Sequence, residues 1–158
     1  MTDNFLTRST LKLLLPLTCT WVKREESLIL RTGIPLDSAL IADALGIGVE
    51  FPERVRLQKV SEVPPLHPFI RFAAQKIGLC SKLTCGMSLR YGIFIRSDYW
   101  GMRCLVVHEL AHTRQYERLG GLRPFLRQYL HECLVTPGYP SGPLEQEAKR
   151  MEDEICRS

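Results

Sequence analysis

Residues 105–112 read LVVHELAH, and this octet decides how the rest of the chain is read. Apolar side chains flank its polar positions on nearly every side, the pattern of a helix packed inside a protein. In such a helix His108 and His112, four residues apart, stand one turn above each other and ~40° from superposition. Both imidazoles can then reach one metal ion. Glu109, ~100° round from His108, points beside that ion, where a carboxylate can accept a proton from a bound water. Two histidines and an acid in a buried helix need partners, and a metal ion supplies them. Zinc suits the set, because imidazole is a favoured ligand and catalytic zinc keeps one position open.

Tetrahedral zinc needs a third protein ligand. The candidates downstream are His131, Glu132, Glu145 and Glu147. The H-E-x-x-H-x-x-G-x-x-H spacing is absent, since Gln115 stands where that pattern has glycine. Residues 143–148 read PLEQEA, which puts Glu145 three residues before Ala148 and 33 residues (145 minus 112) after His112. A carboxylate at Glu145 is also favoured by the helix dipole alone, with no metal.

HExxH followed by E-x-x-A resembles the two motifs of the gluzincin metallopeptidases. The stretch from His108 through Gly120, with FLRQYL at 125–130 and Gly138-Tyr139, is also similar to small uncharacterised bacterial zincin-like proteins. Those include peptidase-like domains associated with contractile injection systems. The resemblance covers roughly residues 67–150. It implies a minimal zincin core: a small antiparallel sheet, the HExxH helix, and a following ligand helix that Ala148 allows to pack closely. It implies that His108, His112 and Glu145 hold Zn2+, with Glu147 the other possibility, and that Glu109 is the general base. It implies an oxyanion donor downstream, for which Tyr139, Tyr129 and His131 are candidates and Tyr139, in the loop entering the ligand helix, comes first. Peptide or protein substrate would lie along the strand at 87–96 (MSLRYGIFIR, opening on Met87 and closing on Arg96). Arg90 and Arg96 would then either favour acidic substrates or stand solvated on an edge strand. Two positions depart from the family pattern: Arg114 replaces an apolar residue, and Lys149 replaces an Asp or Asn that supports a histidine.

The remaining pattern predicts an α+β domain. Helices are expected over residues 6–28 with Pro16 a kink or break, from Asp37 as N-cap to Leu45, and over 69–77. Three more are expected over 99–119 with Asp98 as cap, over 122–135, and from Pro143 to about Ile155. Residues 54–60 alternate as a strand. So do residues 87–96, with Leu89, Tyr91, Ile93 and Ile95 on one face, as a half-buried strand. Residues 1–66 are expected to pack on a catalytic core at 67–158, in one compact domain overall.

Composition narrows the classes. The 158 residues are 45% hydrophobic and 24% charged, so the chain can bury a core and is not a disordered one. A net charge of +4 with no basic run is no signature of nucleic-acid binding. No segment reaches the ~18 consecutive apolar residues of a membrane span. Residues 11–22 are read as an amphipathic helix rather than a signal segment. The six cysteines are scattered, and buried thiols in a reducing, cytoplasmic compartment are expected, Cys104 among them. Two other functions compete with hydrolysis. LIADALG at 40–46 looks like the first half of a helix-turn-helix, although Pro52 would fall inside its recognition helix. A non-catalytic zinc-binding module is the other.

Overall fold

A computed structural model describes residues 2–65, 84–134 and 140–157, with side chains from residue 9 onward. The chain is an α+β protein whose helices enclose a small four-stranded sheet.

Helix α1 spans Thr2–Thr32 without a break. Pro16 lies within it, on its exposed side, where a carbonyl left without its amide partner costs little. Strand β1 (Ile34–Pro35) leads to α2 (Ser38–Gly46), which Asp37 caps as expected by accepting from the Leu40 amide at 2.9 Å. A 3-10 turn at Pro52–Arg54 and strand β2 (Arg56–Val60) come next, so no recognition helix follows α2 and the helix-turn-helix reading fails.

Residues 87–96 are not one strand. They form β3 (Gly86–Leu89) and β4 (Gly92–Arg96), an antiparallel hairpin that turns at Arg90, whose φ is +70°. The alternation misled because apolar residues keep a spacing of two in sequence, while the two-residue turn sets Leu89 opposite Gly92 and so inverts which face each residue takes. Its effect is to move Leu89 to the other face. Tyr91, Ile93 and Ile95 pack into one core cluster, whereas Leu89 joins Phe94 in the second. Nor is β4 half-buried: Ile93, Phe94 and Ile95 are all within 3% of full burial.

The strand order is β1-β2-β4-β3. The sheet is mixed rather than wholly antiparallel, because β2 and β4 run parallel, with Leu57 opposite Ile93. A segment of the first 66 residues is thus an interior strand of the sheet.

Helices α3 (Arg103–Arg118), α4 (Leu122–Leu134) and α5 (Pro143–Cys156) complete the fold. Asp98 does not cap α3. It is spent on Arg96 at 2.7 Å, inside a 3-10 turn at Ser97–Tyr99, and α3 begins at Arg103. Arg103 grips buried Asp43 with two bonds of 2.8 Å, tying the start of α3 to α2.

One face of the sheet meets α2 and α3 through Val55, Ile93, Ile95, Val106, Val107 and Leu110. The other meets α1 and α4 through Val22, Ile29, Phe94 and Phe125. Val107, Leu110, Ile93 and Ile95 are fully buried, and each such side chain contributes ~1.5–3 kcal/mol. Gly92 marks where α1 crosses the sheet, since a Cβ there would lie 3.0 Å from Ile29 and 3.3 Å from the Glu26 backbone. Beside that crossing, buried Glu26 takes both Arg90 nitrogens, at 2.9 and 2.8 Å, and the Tyr91 amide.

The cysteine expectation is corrected in part. Cys104 and Cys156 form a disulfide between the start of α3 and the end of α5. Cys19 and Cys133 keep their thiols. No helix among the described residues is long and apolar enough to cross a membrane. The helix expected over 69–77 lies outside the described residues.

Candidate metal centre

Helices α3 and α5 pack against each other in opposite directions. Along their seam Cys104 meets Cys156, His108 meets Glu152, and Gln115 meets Leu144. The paired numbers run oppositely because the helices are antiparallel; the first two contacts are one turn apart and the third lies two turns further on. Ala148, fully buried in one cluster with Val107 and Ala111, brings the backbones close midway along it.

At the middle of this seam the Nε2 atoms of His108 and His112 face the two oxygens of Glu145, each at 3.3 Å. The ligand atoms of His108, His112 and Glu145 all lie within 4.8 Å of one another, close enough to hold one metal ion. Glu145 stands in the first turn of α5 but does not cap it. Glu132 of α4 does so instead, accepting from the Leu144 amide at 3.0 Å. Glu145 is thereby left for the histidines and for the Tyr129 hydroxyl, which donates to it at 2.7 Å.

The other imidazole nitrogens are held from behind. His112 Nδ1 lies 2.8 Å from the Gln115 carbonyl oxygen. The Gln115 amide nitrogen donates to the Leu144 carbonyl and to Glu147, both at 2.9 Å, and neither of those groups can do anything but accept. That fixes the amide's orientation, so His112 carries a proton on Nδ1, and its Nε2 faces Glu145 as the nitrogen that either a second proton or a metal ion can occupy. His108 Nδ1 faces the Glu152 carboxylate at 3.2 Å, which is likewise an acceptor only. Both histidines therefore turn Nε2, the nitrogen a metal would take, toward the same point.

The electrostatics call for positive charge at that point. Burial disfavours a charged His108, but Glu145, Glu109 and Glu152 outweigh it and lift the imidazole to about 9. His112, more deeply buried, is raised in the same sense, chiefly by Glu145. Burial also works against a charged Glu145, yet the two histidines and Tyr129 hold it well below the ordinary carboxylate range. A divalent cation answers the same field that these protons answer.

Glu109 stands apart from the three ligand atoms. It is 4% exposed, and burial pushes its carboxyl up, against the pull of His108 and His112. A Cβ on Gly86 of β3 would lie 2.7 Å from its Oε1, so the space Glu109 occupies exists because that residue is glycine. Ser88 and Thr113 hydroxyls, 3.2 Å apart, join β3 to α3 beside it. Thr113 also donates to the Arg90 carbonyl at 2.6 Å.

The other predicted residues divide sharply. Glu147 is no ligand: it anchors Gln115, Arg118 at 2.8 Å and Arg114 at 3.4 Å. His131 is exposed on α4. Tyr129 is at the centre, its ring 5.9 Å from that of His112. Tyr139 lies outside the described residues. Arg90 and Arg96 are partly exposed, and each is held by an acid, Glu26 and Asp98 respectively. The support lost at Lys149 comes from Glu152, one turn further along α5, to which Lys149 itself is bridged at 2.8 Å. Glu152 went unread in the sequence, although it follows Glu145 by seven residues and so shares its helix face.

Comparison with protein-family models, with curated proteins and with solved structures found no match to this chain.

Proposed function

We propose that this chain is a zinc-dependent peptide hydrolase of gluzincin type. The observation that supports it most is the convergence of both Nε2 atoms on one carboxylate, with both Nδ1 atoms held by acceptors. In this reading His108, His112 and Glu145 hold the metal. Two imidazoles and one carboxylate are a donor set that zinc accepts, with a fourth position open. Bound zinc would polarise a peptide carbonyl and acidify water.

Glu109 is the general base. Its burial brings the carboxyl toward neutrality, where it can both accept a proton from water and return it to the leaving amine. Tyr129, whose hydroxyl donates to Glu145 at 2.7 Å, would be the donor to the developing oxyanion. Of the two hairpin strands, an extended peptide would add to β3. Among the described residues β4 is paired on both sides, and β3 only by β4. The two hairpin arginines set no charge preference, being spent on Glu26 and Asp98.

The test is elemental analysis of untagged wild type beside His112→Ala, followed by peptide turnover by wild type and Glu109→Gln. About one zinc per chain, lost in His112→Ala, with turnover lost in Glu109→Gln while zinc is kept, is the expected result. A folded wild type without metal overturns the reading. Zinc bound tightly with no turnover of any peptide leaves a zinc-binding module.

A further inference from the structure

The disulfide closes the seam that carries the metal centre. Cys104 lies four residues before His108 on α3, and Cys156 lies four residues after Glu152 on α5. The covalent link is therefore one turn from the His108–Glu152 contact, on the same side of both helices. Ile155 packs partly buried against the core near Gly46, whereas Arg157 and Glu154 are exposed.

We propose that the oxidation state of Cys104–Cys156 sets the metal affinity of the His108/His112/Glu145 centre, acting through Glu152. With the bond intact, the end of α5 is held against α3, and the Glu152 carboxylate is kept 3.2 Å from His108 Nδ1. Two equivalents of a thiol reductant break the S–S bond. Each cysteine gains a proton and an electron, and the reductant leaves as its own disulfide. The last turn of α5 is then free to fray, and Glu152 moves out of reach. His108 loses the acceptor that orients its ring, a partner whose removal weakens metal binding ~10–100-fold in comparable sites. The three metal ligands themselves are untouched.

This inference rests on the zinc reading above, and the experiment separates the two. Zinc dissociation constants are measured by competition with a chromophoric chelator. The proteins compared are oxidised wild type, the Cys104→Ser/Cys156→Ser double variant (in which no thiol can bind the metal), Glu152→Ala, and the triple combination. Wild type that binds no zinc overturns the zinc reading itself. Zinc bound by wild type and weakened at least ~10-fold in both the double variant and Glu152→Ala, with little further loss in the triple, is the expected result. Equal affinity in wild type and the double variant overturns the inference, and so does full additivity in the triple, because the two changes would then act by separate routes. Should the double variant not fold, wild type reduced with a phosphine and held without oxygen replaces it, with circular dichroism confirming its helices. Unchanged affinity there overturns the inference equally.

Discussion

The Gln115 carbonyl oxygen lies 2.8 Å from His112 Nδ1, while its amide nitrogen is committed to the Leu144 carbonyl and the Glu147 carboxylate of the facing helix. One side chain thus sets a histidine's tautomer and ties that histidine to the helix that carries Glu145. Gln115→Ala is expected to weaken zinc ~10–100-fold, as the loss of an outer partner does elsewhere. Gln115→Glu, which still accepts at the same place but sets a carboxylate against Glu147, should recover less than half of that loss in free energy. Chelator competition reads both. Affinity unchanged in Gln115→Ala would show that the tautomer is set by something else.

The two acidic residues at the start of α5 have separate tasks. Glu145→Ala removes the carboxylate opposite both Nε2 atoms and should abolish measurable zinc uptake. Glu147→Ala leaves all three ligands and should cost about a tenth as much or less, through Gln115 alone. Zinc content of the two purified variants decides it, and the reverse order would shift the ligand by two residues.

Gly86 is the neighbour that makes room for Glu109. Gly86→Ala places a methyl 2.7 Å from Oε1 and 3.0 Å from Cγ, so the carboxylate must swing away. Zinc should be retained and peptide turnover should fall ~100-fold or more, the scale of a displaced general base. Val or Leu at the same position should be no better. Full turnover by Gly86→Ala would remove Glu109 from the chemistry.

The pH dependence of stability should change sign with metal. In the metal-free protein His108 is lifted from 6.5 to about 9, with His112 moved the same way. A raised value means that the folded chain holds these protons more tightly than the unfolded one. The stability they contribute is full below 6.5 and is lost as pH rises through about 9. Glu145, held low, adds a contribution that disappears only in strong acid. Chelated protein should therefore unfold at progressively less urea as pH rises across that window. With zinc the trend reverses, because the metal competes with the same protons. A chelated protein whose urea midpoint is flat across the window contradicts the assignment.

Much of the centre was legible in the order of residues, because its parts are local. Four-residue spacing places His108 and His112 on one helix face wherever the helix sits, and Glu145 with Ala148 declares a second helix of the same kind. Asp37 as a cap and Pro143 in a first turn are equally local, each being a matter of backbone amides within three or four residues. The α+β class follows from such pieces.

What only the tertiary structure decided is everything set by which groups meet across the chain. The hairpin at Arg90 kept the alternation of a single strand, and the buried Glu26 of α1 that grips the turn is 64 residues away in sequence. Glu145 and Glu147 are both plausible acids until packing sends one to the histidines and the other to Gln115, Arg114 and Arg118. Glu152 acquires its partner, and Cys104 and Cys156 theirs, only because α3 and α5 run antiparallel in a register no local signal states. Spacing along one helix is a property of the backbone. Contacts between helices depend on how well whole surfaces fit, and that is settled by the folded core as a unit.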